Sequence, residues 1–350
     1  MLIPVVCALA LLPPQERLPA APTPASPPTT TTTTAPAYDP LAAPDGDATS
    51  LALAIVDAER ERTIPVRVYL PAATTPAPVI VWSHGLGGSR DNSPYLGTHW
   101  SKRGYVCVFL QHPGSDEAVW RDVPLRERMG ALRTAASMAN LRLRCEDVGK
   151  ALDQLAHWHA DDKHELHGRL DLERVGMCGH SFGAQTTQCV GGQSAPLVGA
   201  RFRDERIDAA LPMSPAPPAR VDARKACADV RIPWLLMTGT HDGSPIEDRD
   251  PADRRKVYPA LPATVDRYEL VLHEAEHSAF ADVPLRGETK ARKANHHRSI
   301  LALSTAFWDC HLRGDAAARE WLHGDGPRRV LDAEDGWQFA AAAAAAVKPQ

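Results

Sequence analysis

At 350 residues, with 39 Lys and Arg against 43 Asp and Glu and a formal charge of −4, the chain is long enough for one large core. It has no basic excess, and its charges are interspersed, which argues against nucleic acid and anionic membranes as partners. Seven cysteines, an odd number with no Cys-x-x-Cys pair, leave any disulfide connectivity open.

Residues 2–12 form an apolar run broken by Pro4, with Ala8-Leu9-Ala10 as a small-x-small cleavage site. Residues 1–12 read as a short signal peptide and a secreted or periplasmic protein; the lack of Lys or Arg before the run keeps a cytoplasmic location as the alternative. The run is too short to span a bilayer, so no stable membrane insertion is expected. Residues 13–48, dominated by Pro, Thr and Ala with six threonines from Thr29 to Thr34, cannot bury enough apolar surface to fold and are expected to be a disordered linker. The folded domain is expected over residues 49–332. Residues 333–350, which include the alanine tract 340–346, are expected to be a tail.

From residue 51 the pattern alternates strand and helix. Residues 51–56 and 66–70 flank a charged turn and predict an antiparallel hairpin at a sheet edge. Residues 78–83 are a continuous apolar run of the kind buried on both faces of a parallel sheet. A helix near 95–102 leads to a strand at 105–110. Residues 142–159 carry Leu143, Val148, Leu152 and Leu155 at helical spacing, suiting a crossover helix. Further strands are predicted at 174–180, 209–213, 233–238 and 267–272, then helices at 293–312 and 316–322. Such alternation makes an α/β, mostly parallel, doubly wound sheet. Cys107 and Cys178 fall in predicted strands as small core residues, whereas Cys145, Cys189, Cys227 and Cys310 could pair only if the fold brings them together.

The chemistry centres on Gly179-His180-Ser181-Phe182-Gly183, which follows an apolar strand and precedes small helical residues. This pattern makes a sharp turn with the serine at its tip, and both glycines are needed because strand and helix approach closely there. A serine hydroxyl is a weak nucleophile, so Ser181 needs an imidazole to take its proton and a carboxylate to fix the imidazole's tautomer. Asp242, just past the 233–238 strand, is the expected acid, with Glu247 and Asp248 as substitutes. His277, beyond the 267–272 strand, is the expected base, with His273 in reserve. The oxyanion formed on attack needs donors already in place. The amide of Phe182 and one from His84-Gly85-Leu86-Gly87-Gly88, taken as that of Leu86, are the candidates.

These four segments, in this order and spacing, resemble the α/β-hydrolase superfamily over about residues 51–322. Within it the Gly-His-Ser-Phe-Gly elbow is most similar to the dienelactone-hydrolase-like and platelet-activating-factor-acetylhydrolase-like branch. The resemblance implies a serine esterase that cleaves a small-molecule or polymeric carboxylic ester without a cofactor. Dienelactone hydrolases proper have a cysteine where this chain has Ser181, which puts dienelactone in doubt. Some acetylhydrolases take the acid from an earlier strand end; here that end reads Pro212-Met213-Ser214-Pro215, with no carboxylate.

Two other function classes compete. His273-Glu274-Ala275-Glu276-His277 matches the His-Glu-x-x-His pattern of zinc hydrolases, but its residues follow an alternating strand rather than a helix. A non-catalytic binding protein of the same fold would need a triad member to be missing. The histidines at 157, 159, 164 and 167 read as a polar loop at a helix end. Residues 112–140 form a long insertion in which Trp120 and Met129 are candidate pocket or lid residues.

Overall fold

The computed structural model describes residues 37–44, 48–194, 200–217, 221–244, 246, 249–281, 288 and 292–343. The expected signal peptide, most of the expected linker, the alternative acids Glu247 and Asp248 and the end of the alanine tract lie outside the described residues.

Alternating side chains at the start build a hairpin, β1 (Thr49–Asp57) against β2 (Arg62–Leu70), with Ile55 opposite Ile64. Next come β3 (Ala77–Ser83), α1 (Pro94–Lys102) and β4 (Val106–Leu110). Every residue of β3 and β4 is buried, which is why neither shows polar alternation. The insertion holds two short helices, α2 (Ala118–Arg121) and α3 (Arg128–Ala135). The crossover helix α4 (Met138–Ala160) starts earlier than its apolar spacing predicts, because Ser137 caps it by accepting the Asn140 amide at 3.2 Å. Then follow β5 (Leu170–His180), α5 (Phe182–Val190), β6 (Ala209–Met213), α6 (Ala223–Cys227), β7 (Trp234–His241), α7 (Pro251–Arg254), β8 (Arg267–Glu276), α8 (Ala294–Leu312), α9 (Ala316–His323) and β9 (Gly336–Ala340).

The strands form one sheet in the order β1-β2-β4-β3-β5-β6-β7-β8-β9. Strands β4, β3, β5, β6, β7 and β8 run parallel, while the hairpin and β9 add antiparallel edges. This is the α/β-hydrolase arrangement that the sequence led us to expect. Its period of two splits the core: Val79 and Val81 face α4 with Val148, Leu152 and Leu155, while Ile80 and Trp82 face α1 and α8 with Trp100, Phe307 and Trp308. Truncating a buried tryptophan such as Trp308 to alanine would cost about 3–5 kcal/mol.

Residues on both sides of the expected domain make contacts with it. Part of the expected tail is a strand, since β9 pairs antiparallel with β8 with Trp337 opposite Leu270. Part of the expected linker is packed as well: Tyr38 Oη donates to Asp309 at 2.8 Å, and Arg103 donates to the Ala42 carbonyl at 2.7 Å. In both cases one or two large aromatic side chains supply the burial that the surrounding alanine and proline cannot. All six described cysteines are free and buried.

Candidate active site

Strand β5 passes into α5 through Ser181, whose φ of 58° and ψ of −115° no L-residue adopts without strain. A β-carbon at Gly183 would overlap the carbonyl of Ser83, and one at Gly179 would overlap the Gly183 carbonyl. The elbow therefore exists only because both positions are glycine. Its serine is anchored by its own amide, which donates to Met213 at 3.0 Å.

Asp242 follows β7, and His277 opens a short 3-10 turn after β8, so both stand at the carboxyl ends of parallel strands on the same rim as Ser181. Ser181 Oγ donates to His277 Nε2 at 2.8 Å, and His277 Nδ1 donates to Asp242 Oδ1 at 2.6 Å. Thr238 Oγ1 donates to the other carboxylate oxygen at 2.8 Å. Burial pushes the Asp242 carboxyl up, but the Arg254 charge and then His277 outweigh it and hold the group at about 2. His180, from the elbow itself, is pushed down to about 3, first by burial and then by the charge of His277. As a neutral ring it donates from Nε2 to the His277 carbonyl at 3.0 Å and steadies the backbone of that residue.

Ser181 opens onto a small cleft, continuous with solvent, whose walls include Leu86, Phe182, Ala136, Ile246 and Arg249. Among the described residues the amides of Leu86 and Phe182 have no hydrogen-bond partner. Both are thus open to an acceptor in the cleft. The insertion supports this loop. Trp120 Nε1 donates to the Gly87 carbonyl at 2.7 Å, and the Gly87 amide donates to Ser115 at 2.8 Å. Of the two residues singled out in the insertion, Trp120 braces the loop and Met129 is exposed, while Ala136 reaches the cleft.

Behind the loop lies a second set that the sequence reading missed. Ser83 Oγ donates to His112 Nε2 at 3.0 Å, and His112 Nδ1 donates to Asp147 Oδ2 at 3.0 Å, with all three residues fully buried. Arg62 holds both Asp147 oxygens, at 2.8 and 2.9 Å. Arg144, also fully buried, donates to Ser83 Oγ at 3.0 Å, to Thr186 Oγ1 at 2.9 Å and to the His84 carbonyl, and it lies 4.8 Å from the centre of the Phe182 ring. One sequence signal pointed here: Arg144 falls three residues after Leu141 and four before Val148, on the apolar face of α4, where a charge needs a buried partner.

The reserve histidine is elsewhere. His273 lies within β8, with its amide donating to Asp335 at 2.8 Å. Because β8 stays extended through Glu276, His273 and His277 are not one helical turn apart, and the geometry that His-Glu-x-x-His needs does not form. No group of three His, Cys, Asp or Glu side chains able to hold a metal occurs among the described residues. In the histidine cluster near the end of α4, His159 and His164 accept backbone amides of Leu170 and Leu166, both at 3.2 Å. Arg254, buried against Asp242, was the other residue missed.

No family model matches the chain. A stretch of 132 aligned residues is 28% identical to the platelet-activating factor acetylhydrolase of Cavia porcellus, taking in 31% of this chain and 30% of that protein. The match thus spans less than a third of the relative's length. The likeness is to a hydrolase of the esterase kind, in keeping with the fold. Among the described residues no helix is long and apolar enough to cross a membrane.

Proposed function

We propose that this protein is a serine hydrolase that cleaves carboxylic esters through an acyl-enzyme. The observation that carries the reading is the unbroken chain of hydrogen bonds from Asp242 through His277 to a strained Ser181 at the floor of an open cleft. His277 Nε2 takes the proton as Ser181 Oγ bonds to the ester carbonyl carbon, and Asp242 stabilises the imidazolium that forms. The carbonyl oxygen, now negative, turns toward the amides of Leu86 and Phe182. Collapse expels the alcohol, which takes the proton from His277. Water then repeats the cycle and releases the acid. The likeness to an acetylhydrolase supports an acetyl or other short acyl group as the first to try.

Two measurements test this. A fluorophosphonate should label the protein and leave Ser181→Ala unlabelled; labelling that survives the substitution removes Ser181 as nucleophile. In a chain-length series of p-nitrophenyl esters, turnover should be highest at the short end, and a flat or rising series overturns the short-acyl reading. We also propose that the catalytic domain begins at Tyr38 rather than at residue 49, on the strength of the contacts Tyr38 makes with Asp309.

A further inference from the structure

We propose that Arg254 is a positioning residue of this site: its guanidinium ties together the two strand-end turns beside the acid and keeps Asp242 Oδ1 on the imidazole. The proposal rests on the triad reading above.

Arg254 ends α7, a single turn started by Asp250, whose side chain accepts the Ala252 amide at 2.9 Å, and by Pro251 at its first position. The turn places a side chain only 4% exposed between the ends of β6 and β7. From there Nη1 donates to the carbonyls of Ser214 at 2.8 Å and Pro215 at 3.2 Å, after β6. After β7, Nε donates to the Asp242 carbonyl at 2.6 Å and Nη2 to that of Gly243 at 2.8 Å. Both turns are irregular, and Ser214 has a φ of 58°. Their buried carbonyls need donors that the sheet does not supply, and the planar fork of an arginine can serve all four at once.

The same group acts on the acid and the base. Nε lies 3.0 Å from Asp242 Oδ1, and Nη2 lies 3.2 Å from His277 Nδ1. The positive charge keeps the buried Asp242 carboxylate ionised. The groups that meet His277 are Asp242 from the β7 turn, Arg254 from α7, and Ser181 and His180 from the elbow. Asp242, at about 2, and His180, at about 3, keep their charge states between pH 5 and 9.

The test uses the full chain, p-nitrophenyl acetate, and Arg254→Gln and Arg254→Lys beside Ser181→Ala, with kcat and KM measured from pH 5 to 9 and near-UV circular dichroism checking the fold. Arg254→Gln should lower kcat roughly 10²-fold with KM changed less than about threefold, the size of effect that misaligned catalytic groups produce. Arg254→Lys keeps the charge but cannot reach four carbonyls, so its kcat should fall less, by roughly tenfold. If Arg254→Gln does not fold, Arg254→Lys decides alone. Wild-type kcat in either variant, or a loss in Arg254→Gln that falls on KM rather than kcat, overturns the proposal while leaving the triad reading intact. Fluorophosphonate labelling that survives in Ser181→Ala removes both.

Discussion

Among the described residues two serine-histidine-aspartate chains have nearly the same dimensions. In one, Ser181, His277 and Asp242 join at 2.8 and 2.6 Å; in the other, Ser83, His112 and Asp147 join at 3.0 and 3.0 Å. Each aspartate also has an arginine partner, Arg254 in the first set and Arg62 in the second. What differs is what lies in front of the serine. Ser181 sits at a strained turn facing an open cleft with two unpartnered amides nearby, whereas Ser83 ends a buried strand and its oxygen already accepts from Arg144. Under the proposed function, three residue types at hydrogen-bonding distance make a reactive group only where a substrate can reach the oxygen and where waiting donors can receive the developing charge. The buried set does a different job. It ties α4, α5 and the loop at 84–88 together.

The sharpest way to break this contrast is to remove each histidine in turn. His277→Ala should lower kcat by about 10⁴-fold or more with little change in melting temperature, and Asp242→Asn by up to about the same factor, because the imidazole is then held in the wrong tautomer. His112→Ala should instead keep turnover per folded molecule within roughly tenfold while costing about 1–3 kcal/mol, since it removes the ring that joins Ser83 to Asp147 and leaves Asp147 to its arginine partners. Kinetics corrected for active-site titre, set beside urea unfolding, separate the two. A His112→Ala enzyme that folds normally but loses 10⁴-fold would make the buried set part of the chemistry.

A middle-sized effect sharpens the comparison through pH. Burial, and then the charge of Arg144, push His112 down to about 4, against an unfolded value near 6.5. Between those values the unfolded chain binds a proton that the folded one refuses, so stability falls as pH is lowered through that window, by about 1.4 kcal/mol per unit. Above pH 6.5 the effect vanishes. Asp147 adds nothing to the slope there, because His112 and Arg62 outweigh its burial and hold its carboxyl below the usual range. His112→Gln should flatten the pH dependence of urea stability between pH 6.5 and 4 by about one proton. An unchanged slope would mean that His112 is not buried in its neutral form.

The smallest effect is a control that touches neither set. A chain beginning at Asp45 loses the Tyr38 bond to Asp309 and the Arg103 bond to Ala42, and should be about 1–2 kcal/mol less stable than one beginning at Ala37, with the same kcat. Equal melting temperatures for the two chains would return the domain boundary to residue 49.

Much of the fold was legible because it is written in local patterns. The all-apolar run of β3, the alternation of the hairpin and the spacing along α4 each report one neighbouring layer, and each became the element expected of it. The rim positions of Asp242 and His277 were legible for a related reason: a residue just past a parallel strand has few other places to go. By contrast, β9 lies in a stretch whose composition reads as tail, and it becomes a strand only because β8 offers an unpaired edge.

The sequence by itself determined the elbow, since only glycine at 179 and 183 lets α5 approach the carbonyl of Ser83. It also determined the sheet, because apolar periodicity is a property of neighbours along the chain. Only the tertiary structure decided which polar residues meet. His112 reaches Asp147 across 35 positions, Ser83 reaches Arg144 across 61, and Arg254 reaches Ser214 across 40. No periodicity records such meetings, because a buried charge is stabilised by partners that the fold brings to it and not by the residues beside it in the chain.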